Sequence, residues 1–517
     1  VHLSCEQDLS WPLAWVAECG AKEVRLHHGA MVEAAEGSWA VEGAWGAPFA
    51  DGDIDRAAIV SGSGVRVRDG RAMFVSPTST IDRLCSISTG GLTLVSNSLL
   101  VLLRFANARV IDRRYRRKVA SIAKGLEERA GGIKTSAGRV RLTYFNNLAW
   151  NGTRLRETEK PRHGAELRSF AGYRELLAEG FDRLAENMAA PERATPLTFL
   201  GTLSSGYDAN AATLLASEAG CKQALCFETT GRCHPDSGLP IAEVLGIKPL
   251  VLEREAWRDL SAPGRLLEVP FLAVGQGSGL IGFGAAHGQL RGRVLVTGFS
   301  GDSIWNPAWT ALSQDIVRKD ASGLAFTEYR LLAGFVNCAP AFWAAREIAD
   351  VVRISNSGEM DEWNGGSRYE RPIPRRLLEE AGVPGHLFGQ AKMGVPKDQP
   401  ERSQSFLSRA GRRDYFAWLR ENRKELGLSW PVNQARDRAS FASSSLQLRL
   451  HVRLGAVPWI RAGPGWKSRL RELQARRRHP SPLRGHLIAW ALDRGSRGQP
   501  SRGSTPEPPN PSRPPRG

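Results

Sequence analysis

The chain has 517 residues, 24% charged and 42% apolar, with a formal net charge of +17 at pH 7. Its length suits two or three domains. Its seven cysteines, odd in number and without a Cys-x-x-Cys pair, argue against a secreted disulfide framework and for reduced thiols in the cytoplasm.

The charge is unevenly placed. Residues 1–400 hold 46 basic and 45 acidic side chains, whereas residues 401–517 hold 24 and 8. The high isoelectric point therefore belongs to the tail and says little about the body. Val1 to Gly20 lack a basic start and a clean apolar run, so no signal peptide is expected. Residues 1–160 read as a β-rich domain. Val65–Arg68 and Arg71–Val75 flank Asp69-Gly70, a hairpin turn pair, and Leu92–Val95 and Val140–Tyr144 are further strands. The longest apolar stretch, Leu92–Leu103, is broken by Ser96-Asn97-Ser98 and is too short to span a bilayer.

Ser169 to Met188 is an amphipathic helix with Phe170, Tyr173, Leu176, Leu177, Phe181, Leu184 and Met188 in one stripe, a core-packing pattern. It crosses a domain junction at about 155–195. A short strand, Thr198–Leu203, then stops at Ser204-Ser205-Gly206-Tyr207-Asp208-Ala209-Asn210, and a helix follows from Ala211 to Ser217. Strand, small polar turn, helix is the geometry that aims backbone N–H groups at an anion. Ser204, Ser205 and Asn210 offer side-chain donors, and Gly206 permits close approach. An ordinary capped turn is the alternative. Asp208 suits an anion cradle if a divalent cation bridges it to phosphate oxygens. Cys226 and Cys233-His234 are too few ligands for a metal site.

A second strand, Arg293–Thr297, ends in Gly298-Phe299-Ser300-Gly301-Asp302-Ser303. Parallel strands with such turns would bring Asp208 and Asp302 to the ligand-binding edge of one sheet, where they could share Mg²⁺. A rival motif, Gly277-Ser278-Gly279-Leu280-Ile281-Gly282, matches a dinucleotide fingerprint if Phe271–Val274 is a strand, and keeps a nicotinamide-dependent oxidoreductase open. Glu328 and Arg330 lie on a helix, where a surface ion pair is the plain reading. His287 and His386 read as structural. Arg368–Arg376 precedes a helix ending at Gly382, and Lys392 sits in a glycine-flanked loop. Beyond Gly411 the chain is helical and basic, with Tyr415, Phe416, Trp418 and Leu419 as a packing face. Leu483–Leu492 is a final helix, and the Pro/Gly/Ser/Arg-rich end from Gly495 is expected to be disordered.

In order and spacing, these segments resemble the synthetase domain of the asparagine synthetases and their relatives, the β-lactam synthetases and peptide-cyclising enzymes. There the two loops read Ser-Gly-Gly-x-Asp-Ser and Gly-x-Gly-x-Asp. Ile241–Gly246 is similar to the family's Ala-x-x-Leu-Gly helix, and Gly389–Pro396 to its late lysine segment. The resemblance implies an α/β fold. A parallel-sheet PP-loop domain (adenine nucleotide α-hydrolase-like) would occupy 165–400, after a glutaminase-like but degenerate β-rich domain at 1–160. A basic helical extension, 401–494, and a disordered tail, 495–517, would follow. It implies ATP and Mg²⁺, with Ser204, Ser205, Gly206, Asp208, Asn210 and Gly298 at the nucleotide and Asp208 and Asp302 on the metal. Lys392 would neutralise phosphate charge and Glu328 would help deprotonate an amine.

The implied reaction adenylates a carboxylate, releases pyrophosphate, and lets an amine or other nucleophile displace AMP. The partners would be a small-molecule or peptide acid and an amine donor, without a specific nucleic acid, in a chain for which a homodimer is one compatible assembly. Departures bear on this. Ser205 replaces a family glycine, Ala209 a serine, and Phe299 stands where relatives have Glu or Tyr; Ser303 stands where many have Glu. The family's N-terminal nucleophilic cysteine is matched by no residue, since Val1 and His2 come first and Cys5 would need processing, and no Asn-Gly-Glu segment is present. Glutaminase activity is therefore not expected. A degenerate, non-catalytic ATP-binding scaffold is the other reading these departures leave open.

Overall fold

The computed structural model describes residues 1–227, 237–275, 280–364, 369–389, 407–427 and 486–498. Cys233, His234, Gly277, Gly279, Arg368, Lys392, most of the basic extension and the tail beyond residue 498 lie outside the described residues.

The β-rich N-terminal region is built from two sheets. The first runs, edge to edge, through β1 (His2–Gln7), β3 (Glu23–His28), β2 (Trp15–Cys19), β9 (Leu92–Ser96), β8 (Leu84–Thr89), β11 (Gly138–Thr143) and β10 (Ile133–Thr135). The second runs through β13 (Leu155–Thr158), β12 (Asn147–Trp150), β7 (Arg71–Val75), β6 (Val60–Arg68), β5 (Trp39–Trp45) and β4 (Glu33–Ala35). Between β6 and β7, Asp69 and Gly70 have φ of 50° and 70°, the paired positive angles of the expected tight turn. Leu3, Trp15, Val65, Phe74, Val95 and Leu148, drawn from both sheets, share one buried cluster. Small polar residues end β9 because Ser98 caps the next helix, Leu99–Phe105, by accepting from Val101 N at 3.2 Å.

The helix Phe170–Met188 starts at Ser169, whose hydroxyl accepts from Gly172 N. Its whole predicted stripe is buried, each side chain contributing about 1.5–3 kcal/mol. A five-stranded parallel sheet follows: β16 (Lys248–Leu252), β15 (Gln223–Phe227), β14 (Thr198–Leu203), β17 (Arg293–Val296) and β18 (Phe335–Cys338). All four neighbour pairs are parallel. In chain order the strands lie third, second, first, fourth, fifth, so progression across the sheet reverses between β14 and β17. Ligands of open parallel sheets bind at the carboxyl ends of the two strands flanking such a reversal.

Two sequence expectations change. Glu268–Ala273 is helical, so no strand precedes Gly277–Gly282 and the dinucleotide fingerprint lacks its context. The final helix runs Leu487–Arg497, past the expected Gly495 boundary. Among the described residues no helix is long and apolar enough to cross a membrane.

Candidate functional site

At the carboxyl end of β14 the chain must turn at once into the helix Asp208–Glu218. Thr213 makes this possible. Its hydroxyl donates to Thr202 O at 2.9 Å and accepts from Thr202 N at 3.0 Å, and a Cβ at Gly201 would lie 2.4 Å from its methyl. Strand and helix therefore pack without a side chain between them.

Asn210 shapes the turn from within. Its amide donates to Ser204 O (2.8 Å) and Gly206 O (2.5 Å), and its Oδ1 accepts from Ser204 N (3.1 Å). Both amide hydrogens are engaged and the residue is fully buried. The expectation that Asn210 donates to phosphate is corrected: it braces the cradle. Gly206 N likewise donates to Ser204 Oγ at 3.2 Å, which leaves the Ser204 hydroxyl its own hydrogen as a donor. Ser205 O accepts from Gly389 N at 2.9 Å.

The second turn lies directly against the first. A Cβ at Gly298 would stand 2.3 Å from Ala209 N and 2.4 Å from Asp208 C; one at Gly301 would stand 2.7 Å from Asp208 Cβ and Cγ. Gly298 lets the two backbones touch, and Gly301 makes room for the Asp208 side chain. Between them Ser300 takes φ of 69°, and its buried hydroxyl has no hydrogen-bond partner among the described residues. A left-handed, non-glycine residue with an unmatched buried hydroxyl is costly unless something over-determines it. Ser300 was not singled out from the sequence; a serine flanked by glycines in this turn was the available signal.

A third segment covers the first turn. The Tyr369 ring packs on Tyr207 (centroids 5.2 Å apart), and its hydroxyl lies 4.0 Å from where a Gly206 Cβ would be. Burial pushes the Tyr369 phenol up from its usual range, and the charges of Asp208 and Asp302 push it further, so one phenol senses both carboxylates. Arg371, buried, donates to Asp302 O (3.3 Å) and Asn306 Oδ1 (3.4 Å). Arg375 donates to Tyr207 Oη at 2.8 Å, and Phe388 packs on the Tyr207 ring. Arg318, buried beside Thr80 O at 3.2 Å, feels the charges of Asp320 and Asp302; burial pulls its guanidinium down to about 10. Tyr369, Arg371 and Arg318 are neighbours that spacing alone does not bring together.

Glu328 sits elsewhere than expected, and Phe299 and Ser303, two residues that depart from the family pattern, are both turned inward. Glu328 is fully buried. It accepts from Ser98 Oγ (2.6 Å) and Leu99 N (2.8 Å), and Arg83 lies 3.8 Å away. Burial raises its carboxyl above the ordinary range, against the pull of Arg83 and these donors. This pair of oxygens holds a helix start in the N-terminal region, so neither a surface ion pair nor an accessible base describes it. Phe299 faces the core: its ring meets Phe326 at 5.7 Å, and it lies 3.1 Å from where a Gly323 Cβ would be. Ser303 is buried and accepts from Lys319 N.

The donor set suits phosphate with a hard cation: two carboxylates, two serine hydroxyls and a first helical turn, with glycines that let the two turns approach. Neither a protein-family model nor a curated protein matches this chain, so its functional reading rests on its own residues.

Proposed function

We propose that this chain is an asparagine synthase-like, ATP-dependent ligase that forms an amide or related bond without glutaminase activity of its own. The carrying observation is that the Ser204–Asp208 and Gly298–Asp302 turns lie in backbone contact where the parallel sheet reverses. In this reading the first turn, Ser300 and Gly298 receive the phosphates of ATP. Asp208 and Asp302 would hold Mg²⁺, which would neutralise phosphate charge. A substrate carboxylate oxygen attacks the α-phosphorus, the bond to the bridging oxygen breaks, and pyrophosphate leaves. An amine then attacks the acyl carbon, loses a proton, and expels AMP. Lys392 is assigned to the separating phosphate charges from the family resemblance. Glu328 is left out as the base because its carboxylate is buried and engaged.

A second reading, an ATP-binding scaffold without turnover, draws on Ala209, on Phe299 facing the core, and on the engaged Glu328. Calorimetric titration of ATP with and without Mg²⁺ into wild type and Asp208→Asn tests the shared part. Magnesium-dependent binding lost in the variant is the expected result, and absence of ATP binding by the wild type overturns both readings. Release of pyrophosphate with a panel of carboxylic acids separates ligase from scaffold.

A further inference from the structure

The helix Arg409–Glu421 has two unlike faces. Gly411, Tyr415, Trp418 and Leu419 are buried against the body. The helix is held there firmly: Ser408 N and Oγ donate to Glu268 Oε1 (3.1 and 2.6 Å), Trp490 Nε1 donates to Asp414 (2.6 Å) and Trp418 Nε1 to Asp493 (2.8 Å). Arg409, Arg412, Arg413, Phe416 and Arg420 fall at i, i+3, i+4, i+7 and i+11, one stripe on the opposite side. Together they line a depression of about 500 Å³. Phe416 borders the stripe, half-buried, and packs against the hydrophobic core as the packing-face expectation has it.

None of the four arginines is paired with an acid among the described residues. Elsewhere the chain pairs arginines readily, as Arg129 with Glu157 and Arg376 with Glu380. Four guanidinium groups on one rigid face repel one another, and an anion laid along them relieves that. The surrounding composition points the same way: 22 of the 24 basic residues in 401–517 are arginine, the side chain whose planar fork grips phosphate oxygens in pairs. A bilayer is the poorer fit. A helix lying on a membrane inserts its apolar face, whereas this apolar face is buried in protein and no large apolar side chain of the helix is exposed.

We propose that this face binds a single-stranded nucleic acid through its phosphates, without sequence preference. The inference is independent of the nucleotide reading above, because the residues involved are different.

The test is fluorescence anisotropy of a labelled, mixed-sequence single-stranded RNA of about 16 nucleotides, with the full chain, over a series of salt concentrations. Wild type is expected to show log affinity falling with log salt at a slope of about −3, from roughly 0.7 per phosphate contact. Arg409→Gln/Arg413→Gln/Arg420→Gln is expected to make the slope shallower by about 2 and to weaken binding at least about tenfold at low salt. Its thermal melt should match wild type, the three side chains being exposed. Arg436→Gln/Arg438→Gln/Arg449→Gln removes the same charge elsewhere in the extension and should have the smaller effect. Equal losses in the two triple variants, an unchanged slope in the first, no RNA binding by wild type, or binding to phosphatidylserine vesicles that RNA fails to displace would each overturn the proposal.

Discussion

Along the seam between the N-terminal sheets and the parallel sheet, Arg330 is clamped by Glu42 through two bonds of 2.8 Å and by Asp82 at 3.1 Å, all three side chains almost wholly buried. Ser63 and Asn97 donate to the same Glu42, and Trp15 Nε1 donates to Ser63. Arg330, Glu42 and Asp82 each face an opposite charge supplied by the other region. At the carboxyl edge of β14 and β17 the arrangement differs. Asp208 and Asp302 are gathered by small residues and a phenol, and the buried guanidinium of Arg371 bonds the backbone of Asp302 and a side-chain amide. Buried charge that is mutually saturated fixes the position of one region on another. Acids gathered beside glycines and hydroxyls are the arrangement on which the proposed phosphate and cation site rests.

Breaking the seam should have the largest effect on folding. Arg330→Met leaves Glu42 and Asp82 as buried acids without their counter-charge, an expected loss of about 3–5 kcal/mol. Urea unfolding should show a lower midpoint, and Glu42→Gln added to Arg330→Met should recover part of the loss. Asp208→Asn at the edge should leave the midpoint within about 0.5 kcal/mol of wild type. A destabilised Asp208→Asn beside an unaffected Arg330→Met would reverse the assignment of the two regions.

The next effect belongs to the contact between the turns. Gly298→Ala puts a Cβ 2.3 Å from Ala209 N, a backbone atom that cannot swing aside. The expected cost is about 1–3 kcal/mol, with nucleotide binding lost even in protein that stays folded. Calorimetry on the refolded variant checks this, and tight Mg-ATP binding there would show that the two turns need not touch.

The sequence made some of this arrangement legible, for reasons visible in particular residues. The stripe of Phe170 to Met188 and the Asp69-Gly70 turn are local patterns, and both stand where expected. The strands β14 and β17 were readable because each is a short apolar run ended by glycine and serine. Their adjacency rested on analogy and is seen in their pairing. What was not legible depends on partners far away in the chain. Glu328 and Ser98 are 230 residues apart, and no periodicity links them. Asn210 looked like a donor because its type is right; only the fold shows its amide turned back on Ser204 and Gly206.

Lys160 sharpens the comparison, because it is a buried charge on the seam side without an acid among the described residues. It donates to Ser76 O at 2.7 Å and Asn147 Oδ1 at 3.2 Å, and burial, with Arg346 nearby, pulls its ammonium down to about 7. In the unfolded chain the same group holds its proton to about 10.4. Between these values the unfolded state binds the extra proton, so stability rises with pH. Below about 7 the full cost of the buried charge is present. Wild type should gain about 1 kcal/mol or more relative to Lys160→Met between pH 7 and about 9.5, read from paired denaturation curves. Parallel pH profiles would show that the lysine stays charged in the folded chain.

Ser300→Ala should alter folding least and function most for its size. The variant keeps the left-handed backbone, so it inherits the strain of φ at 69°. It removes a buried hydroxyl that has no partner among the described residues, so no internal hydrogen bond is lost. Stability should therefore stay within about 0.5 kcal/mol of wild type or rise slightly. If the hydroxyl meets a phosphate oxygen, its loss removes a charge-assisted bond of about 1.5–3 kcal/mol, and Mg-ATP affinity should fall roughly 10- to 100-fold. Ser300→Gly separates the two contributions: it relieves the backbone strain and should stabilise the fold, yet bind ATP as weakly as Ser300→Ala. Full affinity in both variants would assign the serine to the turn alone and leave Asp208, Asp302 and Ser204 as the edge's contribution to the ligand.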